Sequence, residues 1–325
     1  MENGKFIISL DFEIYWGVRD VVNLPDYKNQ LEGVRKAIPL LLEMFNKYNI
    51  NATFATVGFL FFYTKKELIS NLPEKEPVYL NSRLSPYADH FKSVGENENS
   101  DPFHLAGSLV EQIKLSGQEI GSHSFSHYYC LEKGQSTEDF REDIIAAKKV
   151  AAKSGIELKS FVFPRNQFNE NYINICKEMG FTSFRGNENS WIFSSKTHGF
   201  VTTLRRPLRL LDSYLNLSGF NCYSSEDMKK YKIINIPSSR FLRPYSKSVK
   251  QFENLRLKRI TDSMDYASKN GLAYHLWWHP HNFGYNVSEN FSFLEKILIH
   301  YKKLNEENNF ESVNMRQLAK QISNE

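Results

Sequence analysis

The chain has little cysteine, no long apolar run and no large excess of charge, and each shortage excludes a class of protein. Only three of its 325 residues are cysteines, and none forms a Cys-x-x-Cys pair, which argues against a disulfide framework and fits a reducing compartment. No apolar run approaches the roughly 20 residues of a membrane-spanning helix. Only four apolar residues lie within 6–10 near the N-terminus before the acids Asp11 and Glu13, too few for a signal-peptide core. We therefore expect a soluble, cytoplasmic protein.

The charges are nearly balanced along the whole length. The formal net charge is +4, and lysine and arginine are spread among aspartate and glutamate instead of forming the basic block of a nucleic-acid-binding protein. The length allows one large α/β domain or two ordinary ones. Because no repeat or low-complexity tract divides the sequence, we interpret residues 1–325 as a single domain. The oligomeric state stays open.

Two histidines four residues apart are the first sign of function. His123 and His127 follow a strand-like run that ends at Ser122. If the chain turned helical there, both imidazoles would project from one helix face, as two-histidine metal ligands do. Zinc and similar ions favour neutral imidazole combined with a carboxylate. A pair with this spacing also arises by chance among nine histidines, so the interpretation needs partners elsewhere in the chain.

Two acids at the end of the first predicted strand are suitable partners. Asp11 and Glu13 are two residues apart, so in an extended chain they share one face. Neighbouring anions are unfavourable unless a metal, an arginine or a proton compensates them. The alternative is that one of them caps a helix or contacts water. Taken with the histidine pair, the two acids favour a metal site.

Strand-like and helical segments alternate along the chain, and this pattern predicts parallel strands with helices outside them. Two stretches, near 64–100 and 187–248, interrupt the alternation and are interpreted as insertions. The predicted strands are 5–10, 51–60, 118–122, 158–163, 180–185, 271–278 and 310–313. The predicted helices are 30–48, 102–114, 136–153 with Thr137 as its cap, 169–179, 249–269, 288–305 and 315–322.

Four predicted strands end at polar residues of catalytic type. In a parallel α/β architecture, functional groups cluster at the carboxyl ends of the strands. Besides the acid pair and the histidine pair, Arg165 and His279 occupy such ends. Of the other histidines, we expect His275 to lie in the core or to contact a metal ligand without binding the metal itself. We expect His281 to lie in a loop.

The motifs resemble those of the polysaccharide deacetylases, which form carbohydrate esterase family four and have the NodB-homology fold. Ser9-Leu10-Asp11-Phe12-Glu13 is similar to the first motif, an acidic pair, and His123-Ser124-Phe125-Ser126-His127 matches His-Ser/Thr-x-x-His. Pro164-Arg165-Asn166 and Trp277-Trp278-His279-Pro280 resemble the arginine motif and the strand that ends in a catalytic histidine. The resemblance implies a distorted (β/α) barrel with about seven parallel strands, outer helices and the two insertions.

The resemblance also implies roles for individual residues. Asp11 would be the general base that activates water, and Glu13 departs from the family pattern because it is longer than the usual aspartate and not adjacent to Asp11. The roles of the two acids could therefore be exchanged. Glu188 is a candidate, by position only, for the acid that tunes the catalytic histidine. By the same resemblance, Glu13, His123 and His127 would hold a divalent ion, with zinc expected, Arg165 would orient Asp11, and His279 would protonate the leaving amine.

The implied reaction is hydrolysis of a linear-amide C–N bond, which removes acetyl from an N-acetylated sugar or glycan precursor in polysaccharide or lipopolysaccharide biosynthesis. Trp16 and Trp278 are expected to be aromatic platforms for the sugar, although such rings also fill cores. Arg240 and Arg243, with Arg205 and Arg206, would suit a substrate diphosphate, unless they only bridge surface acids. Two alternatives stay open: hydrolysis of a non-sugar C–N bond, as in allantoinase-like and cyclic-imidase enzymes, and a non-catalytic sugar-binding relative.

Overall fold

The computed structural model describes residues 2–87, 90–190, 192 and 207–325. Its strands form one sheet in the order β6-β5-β4-β3-β2-β1-β8-β7, with β9 beside β1, and every pairing is parallel. The strands are β1 (Lys5–Phe12), β2 (Ala52–Thr56), β3 (Glu119–Ser122), β4 (Ser160–Phe161), β5 (Ser183–Phe184), β6 (Ile234–Asn235), β7 (Arg240–Phe241), β8 (Ala273–Trp278) and β9 (Glu311–Ser312).

A single bent segment connects the two edges of this sheet. Strands β6 and β7 are separated by only the four residues 236–239, yet β6 pairs with β5 and β7 pairs with β8. Between them, the amide of Ser238 donates to the carbonyl of Gly186, and the next amide, that of Ser239, donates to His275 on β8. The sheet therefore curls into a barrel with seven strand positions, which confirms the predicted distorted (β/α) barrel.

Helices connect the strands and bury apolar faces against them. The Val34–Lys47 helix, for example, buries Ile38, Leu41 and Phe45, and the Phe45 ring contacts Phe54 of β2. The α-helices are Leu24–Glu32, Val34–Lys47, Lys65–Ile69, His90–Ser93, Gly107–Leu115, Thr137–Lys153, Glu170–Glu178, residues 207–211, Ser225–Met228, Glu253–Lys269, Val287–Asn308 and Met315–Ser323. The 3-10 helices are Ile14–Gly17, Gly58–Phe61, Ser82–Leu84, Pro164–Asn166, Lys247–Phe252 and Pro280–Phe283. None of the helices in the described part of the chain has the length and apolarity to cross a membrane.

The structure corrects three local predictions. The cap of the Thr137–Lys153 helix is Ser136 and not Thr137, because Ser136 and Asp139 form a reciprocal capping box. The single helix predicted at 30–48 is two helices that meet at Gly33. The segment 187–248, predicted as an insertion, contains β6 and β7, whose two-residue lengths give no strand pattern in the sequence.

We expect Gly284→Ala to destabilise the protein through a steric clash. Gly284 has a helical backbone that tolerates alanine (φ −68°), but a Cβ there would overlap the Gln30 carbonyl oxygen and the backbone of Gly33. Overpacking of this kind costs about 1–3 kcal/mol. The control is Gly117→Ala, which has open space but a left-handed backbone (φ 77°), and so carries only a conformational cost of roughly 1 kcal/mol. Denaturant unfolding measures both; equal stability of Gly284→Ala and the parent would contradict the close packing.

Candidate active site

Strand β1 delivers two buried carboxylates to the carboxyl end of the sheet. Asp11 lies within β1, and Glu13 is the first residue after this strand. The exposed fractions of Asp11 and Glu13 are 3% and 4%. Glu13 precedes the Ile14–Gly17 3-10 helix, which turns the backbone toward its side chain. A Cβ on Gly17 would overlap the Glu13 carboxyl group. The glycine therefore provides the space that this carboxylate occupies.

His123 and His127 lie in a loop beyond β3 and not on a helix. The helical turn considered for this segment is absent, because Ser124 and His127 have left-handed backbones (φ 61° and 58°). The two imidazoles nevertheless converge. The Nε2 atoms of His123 and His127 lie 3.2 Å and 3.1 Å from the same oxygen of Glu13, Oε2.

A buried aspartate on the following helix holds this loop in place. Asp143 accepts hydrogen bonds from the Phe125 amide (2.6 Å), the Ser126 amide (3.1 Å) and the Ser126 hydroxyl. Burial raises the pKa of Asp143 to about 6, although the three donors oppose this rise. We did not identify Asp143 from the sequence. The available signal was a charged residue among the apolar positions of an amphipathic helix, beside Phe140 and Ile144.

Glu13, His123 and His127 are suitable ligands for a divalent ion. Their ligand atoms all lie within 4.8 Å of one another. The Nδ1 of His123 donates to the Val162 carbonyl (2.8 Å), so the Nε2 lone pair faces Glu13, as in metal-binding histidines. Burial acts to raise the pKa of Glu13, but the nearby charge of His279 and the contacts with the His123 and His127 imidazoles hold it well below its usual value. Burial lowers the pKa of His127 to about 4, which keeps the imidazole neutral.

Asp11 is held by a buried arginine that the sequence analysis did not select. The Arg185 guanidinium forms a bidentate pair with Asp11, at 2.6 Å and 2.7 Å, and also donates to the Ser9 hydroxyl (3.1 Å). Burial acts to raise the pKa of Asp11, but the Arg185 charge is the main cause of a net lowering. His275 is buried, as expected, and its Nε2 lies 2.8 Å from the Ser9 hydroxyl.

The prediction that Arg165 orients Asp11 is wrong. Arg165 lies in a left-handed turn beyond β4 (φ 55°), pairs with Asp20 and lies 3.3 Å from Glu132. Its guanidinium stacks over the Tyr129 ring at 4.2 Å. Arg185 directly continues β5 and so reaches Asp11 from inside the sheet.

His279 faces both carboxylates from the end of β8. Its Nε2 lies 3.4 Å from Glu13 Oε1 and 3.9 Å from Asp11 Oδ2, and 23% of the side chain is exposed. Its Nδ1 lies 3.4 Å from the side-chain amide of Asn282. Glu188, the positional candidate for tuning His279, instead lies 3.5 Å from the indole nitrogen of Trp277.

Comparison with known proteins agrees with this geometry. Residues 32–184 match the family model for polysaccharide deacetylases, slightly less than half of the chain. The chain resembles the polysaccharide deacetylases in both sequence and fold. A Mycobacterium smegmatis protein assigned as a polysaccharide deacetylase has a TM-score of 0.60 at 12% identity, with 100% of this chain and 92% of that chain covered. A search of curated proteins returns no match.

Two further structures have the same fold. A Pseudomonas aeruginosa PAO1 protein assigned as a polysaccharide deacetylase has a TM-score of 0.57 at 10% identity, with 99% and 90% of the two chains covered. Puue allantoinase has a TM-score of 0.55 at 10% identity, with 97% and 88% covered. Identities this low show the deacetylase fold and not the substrate.

The deacetylase-like fold places the predicted aromatic platforms in the core. Trp16 and Trp278 are fully buried, so their prediction as substrate-binding residues is wrong. Trp16 packs on Phe59, with ring centroids 4.6 Å apart. Trp277 faces the site instead, because it lies under the Arg185 guanidinium (4.1 Å) and beside the His279 ring (5.6 Å). Alternation along β8, where positions 275, 277 and 279 share a face, was the signal that distinguishes the two tryptophans.

The predicted phosphate-binding arginines lie in different surroundings. Arg240 is buried and donates to the Asp212 backbone carbonyl (2.9 Å) and carboxylate (3.1 Å), so its prediction as a substrate ligand is wrong. Arg243 donates to the Ser213 hydroxyl (2.8 Å), and its contact with substrate stays a prediction. Arg205 and Arg206 lie outside the described residues.

We expect Asp143→Ala to weaken zinc binding, because it removes the three hydrogen bonds that fix the loop between the two histidines. Loss of such a supporting partner typically lowers metal affinity 10- to 100-fold. Competition with a chromophoric chelator measures the change. The control is Asp139→Ala, which removes the capping box of the same helix and should cost about 1 kcal/mol of stability without changing zinc affinity. Equal zinc affinity in Asp143→Ala and the parent protein would show that the loop does not need this anchor.

Proposed function

We propose that this protein is a metal-dependent hydrolase that removes the acetyl group from an N-acetylated sugar. The observation that carries the proposal is the position of Glu13, whose one oxygen faces two histidines and whose other oxygen faces His279, beside Asp11. Amide hydrolysis requires a group that accepts a proton from water and another that donates one to the leaving amine. Both kinds of group lie next to the candidate ligands.

Glu13, His123 and His127 would hold the ion, and their donor set favours zinc. The bound ion would polarise the amide carbonyl and lower the pKa of water. Glu13 is the better candidate for a ligand because both imidazoles converge on it, whereas Arg185 occupies both oxygens of Asp11. We therefore assign Asp11 as the base. Its lowered pKa keeps it ionised at neutral pH.

His279 is the proposed acid. Its Nε2 points toward the carboxylates, its Nδ1 is oriented by Asn282, and its partial exposure lets substrate approach. The ring centroids of Phe241 and Trp277 each lie 5.6 Å from the centroid of the His279 imidazole, and these two rings limit the access of water to it. A proton on Nε2 can therefore be transferred to the nitrogen that leaves as acetate is released.

A polar cleft beside the site supports a sugar substrate over a small cyclic imide. The cleft has a volume of about 780 Å³ and is lined by amide side chains, among them Asn166, Asn187 and Asn235. It adjoins the site because Asn166 accepts a hydrogen bond from Arg185 (3.1 Å). Amide groups both donate and accept, which suits a hydroxyl-rich ligand. Candidate substrates are N-acetylated precursors of polysaccharides or lipopolysaccharides, acted on in the cytoplasm.

The decisive experiment is a substrate screen on the zinc-loaded protein. Acetate release from free and nucleotide-linked N-acetyl sugars is the expected result. Allantoin and a cyclic imide serve as the competing substrates. Turnover of either of these, without acetate release from any sugar, would overturn the sugar assignment in favour of a non-sugar C–N hydrolase. Absence of turnover on all of them would favour a non-catalytic relative.

We expect the site variants to separate metal binding from proton transfer. Asp11→Asn and His279→Ala should retain zinc and lose turnover by a factor on the order of 10² to 10⁴, because each removes a proton-transfer group. His123→Ala should lose zinc as well. Elemental analysis of the purified variants, together with kcat, decides this. Loss of zinc in Asp11→Asn but not in Glu13→Gln would reverse the roles of the two acids.

We expect the pH profile to distinguish the two arginines. Arg185→Gln removes the charge that lowers the Asp11 pKa, so burial would raise that pKa and shift the acidic limb of kcat/KM to higher pH. Arg165→Gln should leave the limb in place because Arg165 does not contact Asp11 in the structure. An identical shift in both variants would contradict the assignment of Arg185 as the residue that positions the base.

A further inference from the structure

The two oxygens of Glu13 face two different pairs of histidines. Oε2 lies within 3.2 Å of His123 and His127, whereas Oε1 lies 3.4 Å from His279. Glu13, His279 and His281 are a second group whose ligand atoms all lie within 4.8 Å of one another. A carboxylate with ligands on both sides has the arrangement of a bridge between two cations.

His281 has no role in the proposed reaction, yet it is buried in this region. Only 3% of it is exposed, and its Nδ1 has no hydrogen-bond partner within the described part of the chain. Its ring is nearly parallel to that of His279, with centroids 5.0 Å apart and planes 23° apart. A buried nitrogen without a partner is unfavourable, so a ligand that accepts its lone pair would relieve this cost.

We propose that Glu13, His279 and His281 form a second divalent-cation site, with Glu13 bridging two ions through its two oxygens. Two imidazoles and a carboxylate are a zinc-type donor set. The orientation of His279 can adapt to this role. Its neighbour Asn282 can present either its amide N–H or its carbonyl to Nδ1, because the Tyr27 hydroxyl on the other side of Asn282 both donates and accepts.

The second ion binds more weakly than the first. Two divalent cations on one carboxylate repel each other, and the only other nearby anion, among the described residues within 4 Å of His279, is Asp11. The charge of Asp11 is already offset by Arg185. The second site therefore fills only when zinc exceeds the amount that saturates the first site.

Occupancy of the second site inhibits the reaction, and this consequence rests on the proposed function. An ion on Nε2 of His279 takes the lone pair that would otherwise carry the proton for the leaving amine. His123, His127 and the Oε2 atom of Glu13 would still hold the first ion. His281 thus takes part in inhibition by excess zinc and not in the reaction itself.

Zinc stoichiometry tests the site without any assay of activity. The chelator-stripped protein is titrated with zinc alone, and bound zinc is measured by equilibrium dialysis and elemental analysis. We expect two ions in the parent protein and one in His281→Gln. The matched control is His300→Gln, which removes a helix histidine paired with Asp265 and should keep two. A single ion in the parent protein at about 100-fold excess zinc, or two in His281→Gln, would overturn the proposal, as would loss of the second ion in His300→Gln.

Activity then tests the inhibitory role separately. With one equivalent of zinc, His281→Gln should turn over substrate at nearly the parental rate. In excess zinc the parent protein should lose turnover at least about 10-fold, since it loses its proton donor, and His281→Gln should not. Equal inhibition of the two proteins would remove the switch but leave a second ion established by stoichiometry. Two bound ions in a protein that turns over none of the sugars would instead reject the proposed function and keep the site.

Discussion

The arrangement of the site depends on keeping two buried carboxylates ionised beside each other. Asp11 and Glu13 are almost fully excluded from water, and burial alone would favour their neutral forms. Each acid is stabilised in its own way. Arg185 forms two charge-assisted hydrogen bonds to Asp11, whereas three imidazoles surround Glu13. This separate compensation of the two charges is compatible with the different roles proposed for Asp11 and Glu13.

Placing the carboxylates and histidines this close together requires a glycine and unfavourable backbone conformations. The Glu13 carboxylate fits only because Gly17 has no side chain, and the histidine loop needs left-handed residues at Ser124 and His127. Such backbone conformations are unfavourable for residues with a Cβ and persist when the surroundings hold them. Asp143 supplies that support from the neighbouring helix.

The sequence predicted the fold class and the positions of Asp11, Glu13, His123, His127 and His279 at strand ends, because alternation of strands and helices fixes which residues meet at one edge of a parallel sheet. It missed Arg185 although this residue ends the predicted strand 180–185, because the two residues of β5 are too few for side-chain alternation to show that Arg185, and not Arg165, faces inward. The sequence also led to the selection of Trp278 instead of Trp277 as a substrate-binding residue. Side-chain alternation on β8 would have corrected this choice, whereas the contact between Asp143 and the histidine loop is tertiary and has no local signature.

The position of β8 in the sheet has a consequence for the order in which the site forms during synthesis. Strand β1 lies between β2 and β8, although β8 is 268 residues further along the chain, counted from Lys5 to its paired residue Ala273. Until the ribosome has released β8, β1 is an edge strand and His279 is missing. A nascent chain can thus bring Glu13, His123 and His127, the candidate metal ligands, together before it has the proposed proton donor. The chain from β8 onward therefore completes a candidate site whose first residues were made much earlier, so premature termination would leave the candidate metal ligands without His279.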